Sequence, residues 1–388
     1  MRKKLIYIFV FLLLLPLVFF GGTCMYIHYN KGSIYQRVIQ DINKTYEGEI
    51  KIDHISLAPF RNFPYTSIDL KNTRFYESKD TTCLPLYRFQ DIYVGFDLLA
   101  AWQGKYEIKK ISFEEGKIDI TKYKDGSYNI LKAKNISENE DSAKTTVHLD
   151  LDKINIKNVD IKYLDLREDR AIDLYCKSLT SKIRLRNEHY YLDLESDCIT
   201  TLIEKQKPTF FINKSIYTDI ELDYDSSSKV LNILPGKIQL NEAIFKIEGN
   251  IDIQNDMDMD IKIKGDKPDF NIIAAFLPND VGKALTSYRN EGKIFFDGTI
   301  QGKAIHDQVP SITVYFGCDQ AYFLNQNVNK KVDQLRFNGK FTNGDARDLK
   351  SSQLQINNFH ARPEQGLFVG HLLINNFVDP LVKLDVHA

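Results

Sequence analysis

The sequence is poor in the residues from which catalytic and metal sites are assembled. Its five cysteines form no CxxC pair, and its eight histidines are scattered without ligand spacing. It contains no GxSxG elbow, no P-loop and no clustered GxGxxG. Lys and Arg number 51 against 52 Asp and Glu, so the chain also lacks the basic excess that nucleic-acid binding requires. We therefore expect that the protein is not an enzyme, that it uses no cofactor and that it does not bind nucleic acid.

The few acidic clusters are better explained as strand surfaces. One cluster alternates with apolar residues and resembles the start of a calcium loop: Asp256, Asp258 and Asp260. Such a loop needs Gly at its sixth and Glu at its twelfth position, where Ile261 and Lys267 stand here. Glu114 and Glu115 are adjacent, so on a strand they point to opposite faces and cannot act together, and a solvated turn is the better explanation of this pair. Only an undetected carboxylate pair would support a hydrolase.

The cysteines, odd in number, do not indicate a disulfide framework. Cys176 and Cys198 are the two that could pair, across adjacent strands. Buried free thiols are the simpler interpretation of both residues.

The sequence does contain one long apolar run, residues 5–27, directly behind a basic Arg-Lys-Lys start. The run has no charged residue, and a bilayer core takes about 20 residues of helix. Basic flanks stay on the cytoplasmic side, so the remainder of the chain should be exported. We predict an uncleaved single-pass anchor. A cleaved signal peptide and a lipoprotein attached through Cys24 stay open as alternatives.

Beyond the apolar run, the sequence predicts one helix and then strands. Residues 31–46 have helical apolar spacing, with Ser33 as a candidate N-cap and Gly48 as the stop. From there onward apolar and charged residues alternate, which is the period of half-buried strands. Residues 97–103 and 269–288 interrupt the alternation with patterns typical of short helices. The fold class is therefore mostly β.

The alternation leaves open how the apolar faces of the strands are covered. Two sheets that cover each other as a sandwich are the commoner arrangement. The alternative is an elongated, curled sheet whose apolar inner face is covered by a ligand or by lipid. The period predicts strands in both cases and does not distinguish them.

The order of elements in the first third of the chain follows a recognisable pattern. An anchor and one amphipathic helix come first, followed by a pair of strands that begins with a glycine and contains a proline. The next strand leads into a helical turn with two leucines, which a glycine follows. A second pair of strands then ends in the pattern Gly-x-x-Asn. The residues that carry this order are Gly48, Pro59, Leu98, Leu99, Gly104, Gly126 and Asn129. In order and spacing it resembles the AsmA-like family, the AsmA/TamB-type inner-membrane-anchored periplasmic proteins.

This resemblance implies the elongated antiparallel sheet, with an apolar groove in which phospholipids pass between the inner and outer membranes. It places the anchor in the inner membrane of a Gram-negative cell envelope and the body in the periplasm. On that reading we predict the lipid-facing residues of the groove to be Ile118, Ile120, Ile154, Ile156, Ile251, Ile253, Met257, Met259, Ile261 and Ile263. Outer-membrane homeostasis is a related role. The alternative function is a scaffold or assembly factor that binds outer-membrane proteins by strand pairing.

The chain is expected to have four segments. These are a membrane anchor at 1–29, an N-terminal α+β region at 30–132, a polar linker or loop at 133–146, and a repetitive β-rich region at 147–388. The polar segment breaks the periodicity, which is typical of a linker. The last residues stop inside an alternating run, and AsmA-like relatives are commonly longer. We therefore expect the β-rich region to be incomplete at its C-terminus.

Overall fold

The computed structural model describes residues 43, 46–62, 65–97, 106–130, 147–209, 211–266, 269–286, 289–304, 309–325, 329–363 and 366–388. The predicted membrane span and nearly all of the predicted first helix lie outside these residues. So do the helical turn predicted after Asp97 and the linker predicted at 133–146. Within the described part of the chain, no helix is long and apolar enough to cross a membrane.

The described chain is mostly β and divides into two compact units. The first comprises Met1–Asp169 with Tyr175–Thr180, and the second comprises Arg170–Leu174 with Ser181–Ala388. The strand Arg170–Arg186, called β7 below, is divided between the two units. The four predicted segments of the chain stay a prediction.

The described part of the first unit contains six complete strands: β1 (Glu49–Lys51), β2 (His54–Asn62), β3 (Tyr65–Tyr76), β4 (Tyr87–Phe96), β5 (Tyr106–Lys122) and β6 (Val147–Asp165). β1 and β2 both pair with β3, and β4 and β5 continue the sheet, all antiparallel. β5 and β6 run parallel, which corrects the expectation of an antiparallel sheet throughout. A parallel neighbour needs a crossover of a dozen or more residues, and the long polar segment between these strands supplies that length.

The strand register places the apolar residues of the first unit on one face. One apolar row crosses four strands: Ile68, Val94, Ile111 and Ile154. Phe89, Ile92 and Val159 are the buried residues of the neighbouring core cluster. The Phe89 ring lies 5.0 Å from the Phe113 ring, centroid to centroid. Alternating apolar residues on successive strands therefore form a common packed surface, as their period predicts.

Left-handed residues interrupt three strands of this unit: Asn72, Glu115 and Asn158, with φ of 51°, 51° and 53°. In β6 this conformation lets Ile156 and Val159, three positions apart, pack in the same cluster. Asn158 Nδ2 donates to Glu115 Oε1 at 2.6 Å, and the Tyr175 hydroxyl donates to Asn158 Oδ1 at 3.2 Å. The left-handed residue thus shifts by one position which residues of the strand point to the apolar side, so the apolar residues after it stay on that side.

The second unit contains the remaining strands and two short helices: β8 (His189–Glu204), β9 (Lys207–Pro208), β10 (Lys214–Asp225), β11 (Val230–Leu240), β12 (Ala243–Asp252), β13 (Asp258–Gly265), α1 (Asn271–Ala274), α2 (Asn279–Thr286), β14 (Arg289–Gly302), β15 (Ser311–Asn325), β16 (Lys330–Thr342), β17 (Gln353–Pro363), β18 (Phe368–Asn375) and β19 (Leu381–His387). β8 pairs with β9 and β10, and from β10 to β19 each strand pairs antiparallel with the next. The helices confirm the prediction for residues 269–288.

The sheet of the second unit is a single layer across its described residues. Strands contact their hydrogen-bonded neighbours, while α1 lies against β12 and β14, and α2 lies against α1. A sandwich is therefore not formed in this part of the structure, and the open sheet is confirmed. The helices pack around Phe245 and Phe296, and the described residues provide no second layer over the rest of this sheet.

The described cysteines form no disulfide. Cys176, Cys198 and Cys318 are buried, and Cys83 is exposed. Buried thiols, the simpler interpretation, are confirmed, and no disulfide joins Cys176 to Cys198. Burial raises the pKa of the Cys318 thiol to about 12, so this group is a neutral apolar filler at physiological pH.

Candidate functional site

One face of the second unit carries apolar rows that run across its strands. Directly paired residues share a face, so the register defines each row. The longest row has one member on each strand from β12 to β19: Ile247, Ile263, Gly298, Val314, Phe341, Leu354, Ile374 and Val382. A parallel row runs from β14 to β19: Phe296, Phe316, Gly339, Ile356, Leu372 and Leu384. We call the surface formed by these two rows the apolar face.

The apolar face becomes more accessible towards β19. Phe296 is buried, Ile356 and Leu372 are half-buried, and Leu384 is 67% exposed. Val382 in the longer row is 54% exposed. A contiguous apolar surface of this kind is unfavourable in water, and such surfaces are typical of interaction sites.

The opposite face of the same strands is charged. Lys264 of β13 pairs with Asp297 of β14 across the sheet, with Nζ and Oδ1 3.9 Å apart. Lys340 of β16 lies over the Tyr315 ring of β15, with Nζ 5.6 Å from the centroid. The alternation in the sequence thus produces a sheet with one wet face and one apolar face.

An apolar pocket of about 470 Å³ lies at one end of the apolar face. The described residues of its lining are all apolar: Phe323, Val332, Leu335, Phe359, Ala361, Pro363, Phe368 and Val386. The three strands β15, β16 and β17 carry bulges beside it, at Gln320, Gln334 and Asn358. Bulges bend a strand and increase its twist, which explains a concavity at this place. The volume is within the range of ligand pockets, about 300–1,000 Å³.

The structure brings four of the predicted groove residues together in the second unit. Ile251, Met259, Ile261 and Ile263 pack in one cluster around the buried Ile247. Ile251 pairs with Met259, and Ile247 pairs with Ile263. These residues are continuous with the longest apolar row, of which Ile263 is a member.

The other predicted groove residues lie elsewhere. Ile118 and Ile156 pack in the core cluster of the first unit, Ile154 is in that unit's apolar row, and Ile120 pairs with Tyr163. Ile253 and Met257 lie in the turn between β12 and β13, and both are exposed. The strand predicted from Met257 onward begins one residue later, at Asp258. That any of the ten residues touches lipid stays a prediction.

Sequence reasoning missed the aromatic part of the face. Phe316, Phe337 and Phe359 lie on successive strands, with ring centroids 6.2 Å and 6.5 Å apart along the series. The alternation Ile312-Val314-Phe316 has the same period as the predicted groove residues and could have indicated Phe316 as a residue of the apolar face. Phe337 and Phe359 lie next to bulges, where counting every second residue from the strand start gives the wrong face.

In the described part of the chain, no group of three or more His, Cys, Asp or Glu could hold a metal ion. Asp256 lies in the turn beside Met257 and binds Lys303, with Oδ2 and Nζ 3.0 Å apart. Glu114 pairs with Arg61, while Glu115 accepts from Asn158. The adjacent glutamates thus serve different structural contacts, as their positions on a strand predict.

Fold and surface together define a β-rich protein whose second unit presents an open sheet with a continuous apolar face. The N-terminal part of the chain is similar to the AsmA family, whose model matches residues 1–185, just under half of the 388. The resemblance in the order of the N-terminal elements is thereby confirmed. No curated protein matches the chain.

Proposed function

We propose that this protein is anchored in the inner membrane and transfers phospholipids across the periplasm towards the outer membrane. The acyl chains lie on the apolar face, and the head groups stay in water. The observation that supports this function is the longest apolar row, which continues from Ile247 to Val382 without a polar member. The similarity of residues 1–185 to the AsmA family supports an envelope role of the same kind.

The dimensions of the apolar face suit an acyl chain. Neighbouring strands lie about 4.8 Å apart, so a row across eight strands is roughly 30 Å long. One leaflet of a bilayer core is about half of its 30 Å thickness, so an extended acyl chain fits within the row. Removing methylene groups from water stabilises the complex by about 0.8 kcal/mol each, so six covered methylenes contribute about 5 kcal/mol.

The mechanism needs binding and movement, and we propose that no catalytic step is involved. Each apolar residue has an apolar neighbour on the next strand, so an acyl chain meets a similar environment along the row. Movement then requires no large loss of hydrophobic burial at any position. The charged opposite face keeps the sheet soluble while the apolar face is occupied.

The test places one carboxylate on each face of the same sheet. Met259→Asp introduces a charge into the apolar cluster, and Thr299→Asp introduces one on the charged face, opposite Lys262. We expect photocrosslinking and native mass spectrometry to detect bound phospholipid in the wild type and in Thr299→Asp, and none in Met259→Asp. Circular dichroism should show that both variants remain folded.

Two results would contradict the proposal. If Met259→Asp unfolds while Thr299→Asp does not, the apolar cluster is an ordinary core. If the wild type co-purifies with an outer-membrane barrel protein and without lipid, the chain acts as an assembly scaffold, with partner strands added to its sheet.

A further inference from the structure

A second cavity of the second unit, of about 460 Å³, is polar. It lies between the start of β10, the turn from β11 to β12 and the two short helices. Amide and charged side chains line it: Asn213, Lys214, Asn241, Glu242, Asn271, Asn279 and Lys283. Such a composition is unsuited to acyl chains and suits a small polar or charged group.

Lys214 is the unusual member of this lining. The residue is only 1% exposed, and its Nζ donates to the main-chain oxygen of Leu277 at 2.7 Å. Nζ also lies 5.8 Å from the centroid of the Phe211 ring. No carboxylate of the described residues forms an ion pair with it. An ammonium group has three donors, so one carbonyl leaves most of its bonding capacity unused.

A buried ammonium group without a counter-charge is costly, and proteins normally pair such a group. The same burial lowers the pKa of Lys214. Among the described residues of the lining, Glu242 alone carries a carboxylate, and it is an exposed residue. Lys214 therefore contributes a buried positive charge to the cavity, and an anion is the ligand that complements it.

The amide side chains around Lys214 are held in fixed positions. Asn241 Oδ1 accepts from the main-chain N–H of Ser215 at 3.0 Å. Asn279 Nδ2 donates to the main-chain oxygen of Ile212 at 2.8 Å. Fixing Oδ1 of Asn241 on the backbone also fixes the direction of its amide NH₂, a donor group. Donors fixed around a cation match the several acceptor oxygens of a phosphate group.

The polar cavity adjoins the apolar face. Ala274 and Ala275 line the cavity, and Ala275 belongs to the core cluster that contains Phe245 and Phe296. Phe276, the next residue, stacks on the Phe296 ring at 5.2 Å between centroids. A ligand with a phosphate in the cavity would thus have its apolar part beside the row of Phe296 and Phe316.

We infer that the cavity beside Lys214 binds the phosphate of an anionic lipid head group. The inference rests on the proposed function, because it gives the acyl chains of the same ligand the apolar face. Lys214 supplies the charge, and the amides of Asn241 and Asn271 supply further donors. Neutral lipids would bind the face by their acyl chains alone and leave the ammonium group without a counter-ion.

Inorganic phosphate is the first probe, added to the full chain in detergent at constant ionic strength. We expect phosphate to raise the melting temperature of the wild type and not that of Lys214→Gln, which keeps an N–H donor for Leu277 but has no charge. Lys246→Gln on the exposed side of β12 is the matched control and should respond as the wild type does. Equal responses of the wild type and Lys214→Gln, or no response of either, would overturn the inference.

The second probe distinguishes a lipid head group from free phosphate. Lysophosphatidylglycerol and a monoacylglycerol of the same chain length are compared for retention by the purified protein. Hydrogen bonds to charged groups contribute about 1.5–3 kcal/mol, so Lys214→Gln should bind the anionic lipid roughly tenfold less tightly and the neutral one unchanged. Asn271→Leu retains the contact of Lys214 with Leu277 and should also bind the anionic lipid less tightly while binding the neutral lipid unchanged. This variant replaces Lys214→Gln in the test if Lys214→Gln fails to fold.

The outcomes separate the two proposals. Equal retention of both lipids by the wild type overturns the head-group site and leaves acyl-chain transfer intact. Retention of neither lipid contradicts the transfer function itself. A response to inorganic phosphate without retention of the anionic lipid means that the cavity is a site for free phosphate, which overturns the head-group assignment.

Discussion

The ring of Phe316 occupies the space directly over Gly339, its partner on the next strand. A Cβ placed on Gly339 would lie 2.3 Å from Cζ of that ring. The glycine thus allows an aromatic side chain of the apolar face to cover the backbone of its neighbour. Gly298, in the longer row of the same face, is different, because the nearest atom to a Cβ there would be 3.5 Å away, on Phe296.

This difference predicts opposite tolerance of the same substitution. Gly339→Ala should lower the free energy of unfolding by about 1–3 kcal/mol, because the ring must move out of a packed position. Gly298→Ala should change it by less than about 0.5 kcal/mol or stabilise slightly, since alanine restricts the unfolded chain. Urea denaturation of the two variants measures both values. Equal losses would show that Phe316 does not depend on the glycine.

The left-handed residue of β6 gives a second prediction. Asn158 has a φ of 53°, a region that costs a β-branched residue about 1–2 kcal/mol more than Gly. Asn158→Val should therefore be less stable than Asn158→Gly by about that amount. Both variants lose the hydrogen bond to Glu115, so their difference isolates the backbone conformation. A valine variant as stable as the glycine variant would mean that the strand can straighten at this position.

Much of this fold could be predicted from the period of the sequence, and the departures have local causes. The alternation of Ile251, Met259 and Ile261 predicts a shared face, and the structure packs them in one cluster. The phase of the alternation changes at Lys157-Asn158, where the left-handed Asn158 lies within the continuous strand β6. The parallel pairing of β5 with β6 could not be predicted, because alternation has the same form in both pairings.

The candidate sites were less accessible to sequence reasoning than the strands. Lys214 follows an asparagine at the start of a strand, a position that normally predicts an exposed lysine. Its burial depends on Leu277 and the short helices, which lie far away in sequence. Met257 was assigned to a strand because it alternates with aspartates, but the turn extends to that residue with a left-handed φ of 53°. Tertiary contact and turn geometry decided both cases.

The short helix α1 is predicted to depend on one buried side chain. Ile272 is 1% exposed and packs in the core cluster with Phe245 and Ile294. Ile272→Ala should destabilise the second unit by about 2–5 kcal/mol, because it loses apolar burial and leaves a cavity. Ile253→Ala, in the exposed turn after β12, should cost less than about 0.5 kcal/mol. Thermal unfolding of both variants makes the comparison, and similar costs would contradict the role of Ile272.

An ion pair in the second unit predicts a dependence on pH. His189 Nδ1 lies 2.8 Å from Asp223 Oδ1, and the hydrogen bond to this carboxylate raises the pKa of His189 above 6.5. The stabilisation is complete below pH 6.5 and is lost as the pH rises through the raised pKa, because the unfolded histidine releases its proton first. His189→Gln should remove this loss of stability with rising pH. NMR titration of the histidine ring gives the pKa directly, and a value at or below 6.5 would contradict the pairing.

Lys214 predicts a pH dependence of the opposite sign. Burial lowers its pKa from 10.5, so between the lowered value and 10.5 the unfolded chain binds more protons than the folded one. Stability therefore rises with pH in this window, and Lys214→Met should remove that contribution.

Inorganic phosphate should also reduce this rise of stability in the wild type, because a bound anion favours the charged ammonium group and returns its pKa towards 10.5. Unfolding by urea across this window, with and without phosphate, measures both effects. If the stability of Lys214→Met still rises with pH in this window, the rise belongs to another titrating group. If phosphate leaves the rise in the wild type unchanged, no anion approaches Lys214.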